Sequence, residues 1–296
     1  MTPQSQPRAA DFRAATASAL RSSAERCGLD PRGARLIRLF ATAVYHLPAA
    51  DAVARIAPVM SPDTVTRLAT SVQVTRWLAG IGFPTVEPLP VDQPVVAQGC
   101  AVTFWRYLRQ EGPPLVPADL GLLLLRLHQR ETPPMPLPGY RPLVTVRRAI
   151  ESSPAINENE RAWLRNRCTQ LVNAYDQLSF PLQAGLIHGD AYRGNLLRDG
   201  HRVVLSDWDE VSIGPREIDL IPTVQGTRFG LSEHEPEAFI AAYGRDPRTW
   251  SGYPVLHEIR EMSTMSALLR EDRANVAALQ ELYIRLRSLR TGSDQQ

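Results

Sequence analysis

The densest group of reactive side chains lies between Leu186 and Asp209, which read LIHGDAYRGNLLRDGHRVVLSDWD. An apolar run delivers His188-Gly189-Asp190, Asn195 follows five positions after Asp190, and a second apolar run delivers Asp207 and Asp209. A turn after a strand can aim the Asp190 carboxylate at a substrate hydroxyl, as the base that orients a nucleophile. Asn195 can offer its amide oxygen to a hard cation, and Asp207 can add an anionic oxygen to the same ion. Two protein oxygens completed by nucleotide phosphates and water make a typical Mg2+ site. In-line phosphoryl transfer needs positioning and charge neutralisation more than covalent chemistry, and this set of residues suits it.

Composition removes several alternatives. All 33 basic residues are Arg, because the chain contains no Lys. Schiff-base chemistry and the lysine of a G-x-x-x-x-G-K-[ST] phosphate loop are therefore excluded. Any phosphate clamp must use guanidinium, which pairs bidentately with oxyanions and keeps its charge. A formal charge of +2 supplies no large basic field, so no nucleic-acid partner is expected. No stretch reaches the apolar length of a membrane span, and Met1 to Ala10 is polar, without the apolar core of a signal peptide. The three cysteines, Cys27, Cys100 and Cys168, are too sparse for a disulfide scaffold and lack zinc-ligand spacing. A cytoplasmic location is the expectation.

The elements that must hold the reactive residues can be read from periodicity and turn signals. Residues 11–27 form an Ala-rich helix closed by Gly28-Leu29-Asp30-Pro31. Two β-like runs, 35–46 and 52–57, flank a turn at 47–51. Ser61 and Pro62 open a helix that stops at Gly80. Residues 85–89 and 101–108 read as strands, the second rich in aromatic and β-branched side chains. After Gly112-Pro113-Pro114 the texture becomes helical, over 119–129, 158–178 and most of 215–290. Residues 185–206 are β-rich, with a hairpin at Asp199-Gly200. With 296 residues, about two domains are expected. The fold class is α+β, with a small β-rich part over 1–108 and a larger, mainly helical part over 109–296.

H-G-D-x-x-x-x-N, an apolar strand and D-x-D together resemble the aminoglycoside phosphotransferase and choline kinase-like family, relatives of protein kinases. Residues 43–45 and 52–56 resemble its first hairpins, Arg76-Trp77-Leu78 its first-lobe helix, 102–108 its hinge, and 214–220 its segment after the metal residues. The resemblance implies a bilobal protein-kinase-like fold that uses ATP or GTP between the lobes, with Mg2+. By that likeness Asp190 is the catalytic base, His188 braces its loop, and Asn195 and Asp207 hold magnesium. Asp219 supports the catalytic loop. Arg55 stands where many relatives have Lys, and Thr103, Phe104, Trp105, Arg106 and Tyr107 are the residues expected to meet the nucleotide. The helix position where relatives carry a partnering Glu falls on Ser71, with Gln73 the nearest other polar side chain. The turn Phe40-Ala41-Thr42 has no glycine, so a glycine-rich phosphate lid is not expected.

Asp209, Glu210, Glu217, Glu258 and Glu261 are the candidate acids for the acceptor pocket. Glu258 and Glu261 are spaced to share one helix face, which would suit the ammonium groups of an aminoglycoside. The expected reaction moves the γ-phosphoryl group to a hydroxyl of a small molecule such as an antibiotic. A kinase of Ser or Thr in a natural-product precursor peptide and a catalytically weak scaffold are the alternatives. His128 reads as a packing residue at a helix end, and Trp105 and Trp208 read as core.

Overall fold

The computed structural model describes residues 9–226, 232, 234–271 and 275–292, and most of the polar segment from Met1 to Ala10 lies outside them. The expected α+β class holds. The chain divides into two compact units, one of residues 1–115, 133–137 and 193–211 and the other of residues 116–132, 138–192 and 212–296.

The first unit is built on an antiparallel sheet of order β1-β2-β3-β5-β4, with β1 Arg35–Leu39, β2 Ala43–Leu47, β3 Ala52–Pro58, β4 Val95–Ala97 and β5 Cys100–Arg106. The run over 35–46 is thus two strands, broken at Phe40-Ala41-Thr42, where the Phe40 N–H donates to the Thr42 carbonyl. None of these three residues has a positive φ, so the turn has no need of glycine. Helix α1 (Ala9–Arg26) covers one sheet face, where Ala19, Leu20 and Ala24 pack with Tyr45, Leu47, Ala54 and Phe104. Helix α2 (Pro62–Gly80) covers the other through Val72 against Trp105 and Leu68 against Ala57 and Ala101. Because both faces are covered, β5 is a nearly unbroken apolar run rather than an alternating one. Strand β3 alternates, and period two puts Arg55 on the same face as Val53, which packs on the α2 side.

Residues 85–89 do not form a strand. Pro84, Pro88 and Pro90 remove ladder donors, leaving only isolated bridges from Thr85 to Leu205 and from Pro88 to Trp105. The hairpin of β7 (Leu196–Asp199) and β8 (Arg202–Leu205) completes this unit, turning at Asp199-Gly200 as expected.

The second unit contains α3 (Pro117–His128), α4 (Val144–Ser152), α5 (Glu158–Asp176), β6 (Gly185–Ile187), β9 (Ser212–Gly214), α6 (Ile221–Val224), α7 (His234–Tyr243), α8 (Tyr253–Thr264) and α9 (Val276–Thr291). Its core is formed by Val146 and Ile150 of α4, Leu164 and Cys168 of α5, Ile259 and Met262 of α8, and Leu282 and Leu286 of α9. Leu120, Leu123, Leu124 and Leu127 fall at helical spacing on α3 and are all buried. Gly121 lets α3 approach α7 closely, since a Cβ there would stand 2.7 Å from the Phe239 carbonyl oxygen. Among the described residues no helix is long and apolar enough to cross a membrane.

Candidate active site

Strand β6 pairs antiparallel with β9 and ends at Ile187, so His188, Gly189 and Asp190 emerge from a buried strand into a turn. Gly189 takes φ 84°, a conformation that a side chain would oppose. The turn is held by Asp219, which is fully buried. Its carboxylate accepts from the N–H groups of His188 and Gly189, each at 2.7 Å. A third bond comes from Nε2 of the buried His128, at 3.1 Å, and Nδ1 of that ring pairs with the Tyr243 hydroxyl at 2.8 Å. A buried carboxylate needs such donors, and two of these three belong to the turn that carries Asp190. His128 therefore braces Asp219, a more specific task than packing the end of α3. The buried His188 ring accepts from the Asp190 N–H at 3.3 Å.

Asp190 itself is 34% exposed, and its Oδ1 accepts from Nη1 of Arg260 at 2.7 Å. Arg260 belongs to α8, the helix that carries Glu258 and Glu261. The expected acidic face is not there. Glu261 is only 3% exposed and accepts from the Gln225 amide at 2.8 Å, while Glu258 makes a bidentate pair with Arg167 of α5. Helix α8 turns Glu261 into the protein together with Ile259 and Met262, while Arg260, just before Glu261, reaches Asp190.

In the first unit, Asn195 and Asp207 flank the β7–β8 hairpin at one end. The Asn195 carbonyl accepts from both the N–H and the hydroxyl of Ser206, each at 2.8 Å, which ties the two chain ends together. The Asn195 side chain is buried. Asp207 sits in the left-handed region, φ 64°, a conformation that non-glycine residues hold only when their surroundings demand it. The next residue, Trp208, is fully buried and donates from Nε1 to the Thr85 hydroxyl at 2.9 Å. An amide oxygen and a carboxylate are ligand types that a hard divalent cation takes, and both residues lie at the same end of the hairpin.

Arg55 lies beside them. Its Nη2 donates to Asp207 Oδ1 at 2.7 Å and to Asp209 Oδ2 at 3.2 Å, and its Nη1 donates to Asp209 Oδ1 at 3.2 Å. Burial alone would pull the guanidinium down, but Asp209 and Asp207 more than offset it and hold it above its ordinary value. Asp209 also meets Nη1 of Arg67 from α2 at 3.3 Å, and Glu210 lies 3.7 Å from the same nitrogen. Asp209 is therefore a buried ion-pair partner rather than an open acceptor contact, whereas Glu210 is exposed.

Residues 103–107 are less open than their motif suggests. The Phe104 ring lies in the core against α1, and Trp105 packs on the α2 face with its Nε1 donating to Thr103 Oγ1 at 2.9 Å. Both rings are removed from any ligand by the covering of β5 on two sides. Arg106 pairs with Asp199 at 2.5 Å, and Tyr107 stacks on His46 with ring centroids 3.9 Å apart. The contacts of Arg67 and Arg260 carry no local sequence signal, since both are ordinary helical arginines among 33 basic residues.

A model of the phosphotransferase enzyme family matches residues 37–258 of the chain. An amicoumacin kinase solved with AMP-PNP, Ca2+ and its antibiotic superposes with a TM-score of 0.74 at 14% identity, covering 97% of each chain. A choline/ethanolamine kinase family protein from Mesorhizobium loti gives 0.62 at 17% identity, over 91% of this chain and 94% of that one. An aminoglycoside phosphotransferase from Streptomyces rimosus gives 0.58 at 18% identity, over 85% of this chain and 98% of that one. No curated protein matches the chain by sequence.

Proposed function

The chain belongs to the phosphotransferase enzyme family, and we propose that it transfers the γ-phosphoryl group of ATP or GTP, with Mg2+, to a hydroxyl of an antibiotic-like small molecule. The observation that carries this reading is Asp190, a partly exposed carboxylate on a turn whose backbone is clamped by the buried Asp219. A carboxylate fixed in this way can take the proton of an acceptor hydroxyl as that oxygen attacks phosphorus. His188 and Asp219 hold the turn, and Arg260 fixes one oxygen of Asp190. Asn195 and Asp207 would hold the divalent ion, whose chemistry when bound is to neutralise phosphate charge. Arg55 supplies the remaining phosphate-facing cation in a chain that has no lysine.

The reading of the acceptor class is supported by the names of similar structures, an amicoumacin kinase, an aminoglycoside phosphotransferase and a spectinomycin phosphotransferase. A dominant acidic face for a polyamine is not supported by α8, because Glu258 and Glu261 are paired within the protein. Acceptors with few ammonium groups fit better. The scaffold reading loses one of its supports, since Arg55 has carboxylate partners despite Ser71 on α2.

A screen of hydroxylated antibiotics with labelled ATP and GTP, with and without Mg2+, tests the proposal. Mg2+-dependent label transfer is expected. A chain that shows no thermal shift with either nucleotide at saturating Mg2+ would not be a kinase of this kind.

A further inference from the structure

We propose that Asp209 is the positioning residue that keeps Arg55 aimed at a nucleotide phosphate, while Asp207 is its exchangeable partner. The inference rests on the reading of Arg55 as a nucleotide contact. Arg55 comes from the middle of a covered sheet, and a guanidinium in that position keeps its charge and needs a permanent anion. Two carboxylates reach it, and they are not equivalent.

Asp209 meets both terminal nitrogens, Nη1 through Oδ1 and Nη2 through Oδ2, in the fork geometry that fixes a guanidinium plane. It is 10% exposed, and its Oδ2 also meets Nη1 of Arg67 at 3.3 Å. Asp207 meets a single nitrogen and is 32% exposed. When Asp207 turns its oxygen to a divalent cation, Nη2 of Arg55 gives up one bond, and Asp209 keeps the guanidinium from following. The released donor can then be taken by a phosphate oxygen.

Helix α2 contributes a cation here, Arg67, where a carboxylate was sought at Ser71. The Ser71 side chain is buried, and its hydroxyl makes no hydrogen bond among the described residues. The acid that orients the strand cation has in effect moved from α2 to the second Asp of the D-x-D sequence, and α2 holds that acid in turn.

Calorimetry on the full chain tests the assignment, with AMP-PNP and adenosine as probes, each with and without Mg2+. Asp209→Asn is expected to weaken AMP-PNP about tenfold while leaving adenosine affinity unchanged, and Asp209→Glu to recover most of the loss. Asp207→Asn should remove only the Mg2+-dependent part of AMP-PNP affinity. If Asp209→Asn does not fold, Arg67→Gln carries the test, with an expected loss of about threefold for AMP-PNP and none for adenosine. Unchanged AMP-PNP affinity in these variants would overturn the inference, as would an equal loss of both probes, which marks a merely structural role. A wild-type chain that binds neither probe would instead overturn the nucleotide reading beneath it.

Discussion

Arg260 of α8 donates to Oδ1 of Asp190 at 2.7 Å, so the carboxylate at the end of β6 is oriented by a cation brought from 70 residues away. Such a bond fixes which oxygen faces outward, and orientation is most of what an in-line transfer asks of its base. Arg260→Gln should lower kcat by about tenfold and leave the nucleotide Kd unaltered. Steady-state kinetics with calorimetry on the same preparation checks both. An unchanged kcat would reduce the contact to a surface ion pair.

Asp190→Asn keeps the shape of the turn and removes the proton acceptor. Transfer should fall by at least about a hundredfold, with AMP-PNP affinity retained. Loss of nucleotide binding in a folded Asp190→Asn chain would assign this residue to the metal instead.

The buried Asp219 joins the turn that carries Asp190 to His128 of α3, which in turn meets Tyr243 of α7. Asp219→Ala leaves two backbone N–H groups and the His128 ring without their acceptor. A cost of about 3 kcal/mol or more is expected, since each stranded buried donor is expensive. Denaturant unfolding measures it, and a change below about 1 kcal/mol would mean that water replaces the carboxylate.

Burial holds the Glu217 carboxyl above its ordinary 4.5, although the Leu182 N–H at 2.6 Å pulls it back. Its Oε2 has no hydrogen-bond partner among the described residues. The native state thus binds this proton more tightly than the unfolded chain. Stability from Glu217 is complete below the unfolded value and is lost as pH rises through the folded one. Glu217→Gln should therefore raise the melting temperature at pH 7 by roughly 2–4 °C and make no difference near pH 4. A constant offset across that range would contradict the linkage.

Much of the fold was legible because short-range rules govern it. Pro62 at the first turn of α2, the Leu spacing of α3 and the Asp199-Gly200 hairpin are all local signals, and each marks an element of the structure. Strands β4 and β9 and helix α4 were missed: the strands are three residues long each, and α4 is nine residues long with the adjacent charges Arg147 and Arg148 at its centre. Residues 85–89 were misread because their apolar pattern outweighed the flanking prolines.

By itself the sequence singled out Asp190, Asn195 and Asp207 as candidates, excluded lysine chemistry, and marked helices α1, α2, α3 and α5 and the β7–β8 hairpin. These depend on spacing within a few residues. Tertiary structure alone decided that Glu261 is buried, that Arg260 reaches Asp190, and that Arg55 is answered by Asp209 and Asp207 rather than by a carboxylate on α2. A long charged side chain can swing to any of several partners at little cost. Which partner it takes is set by how neighbouring elements pack, and that information is spread over the whole chain.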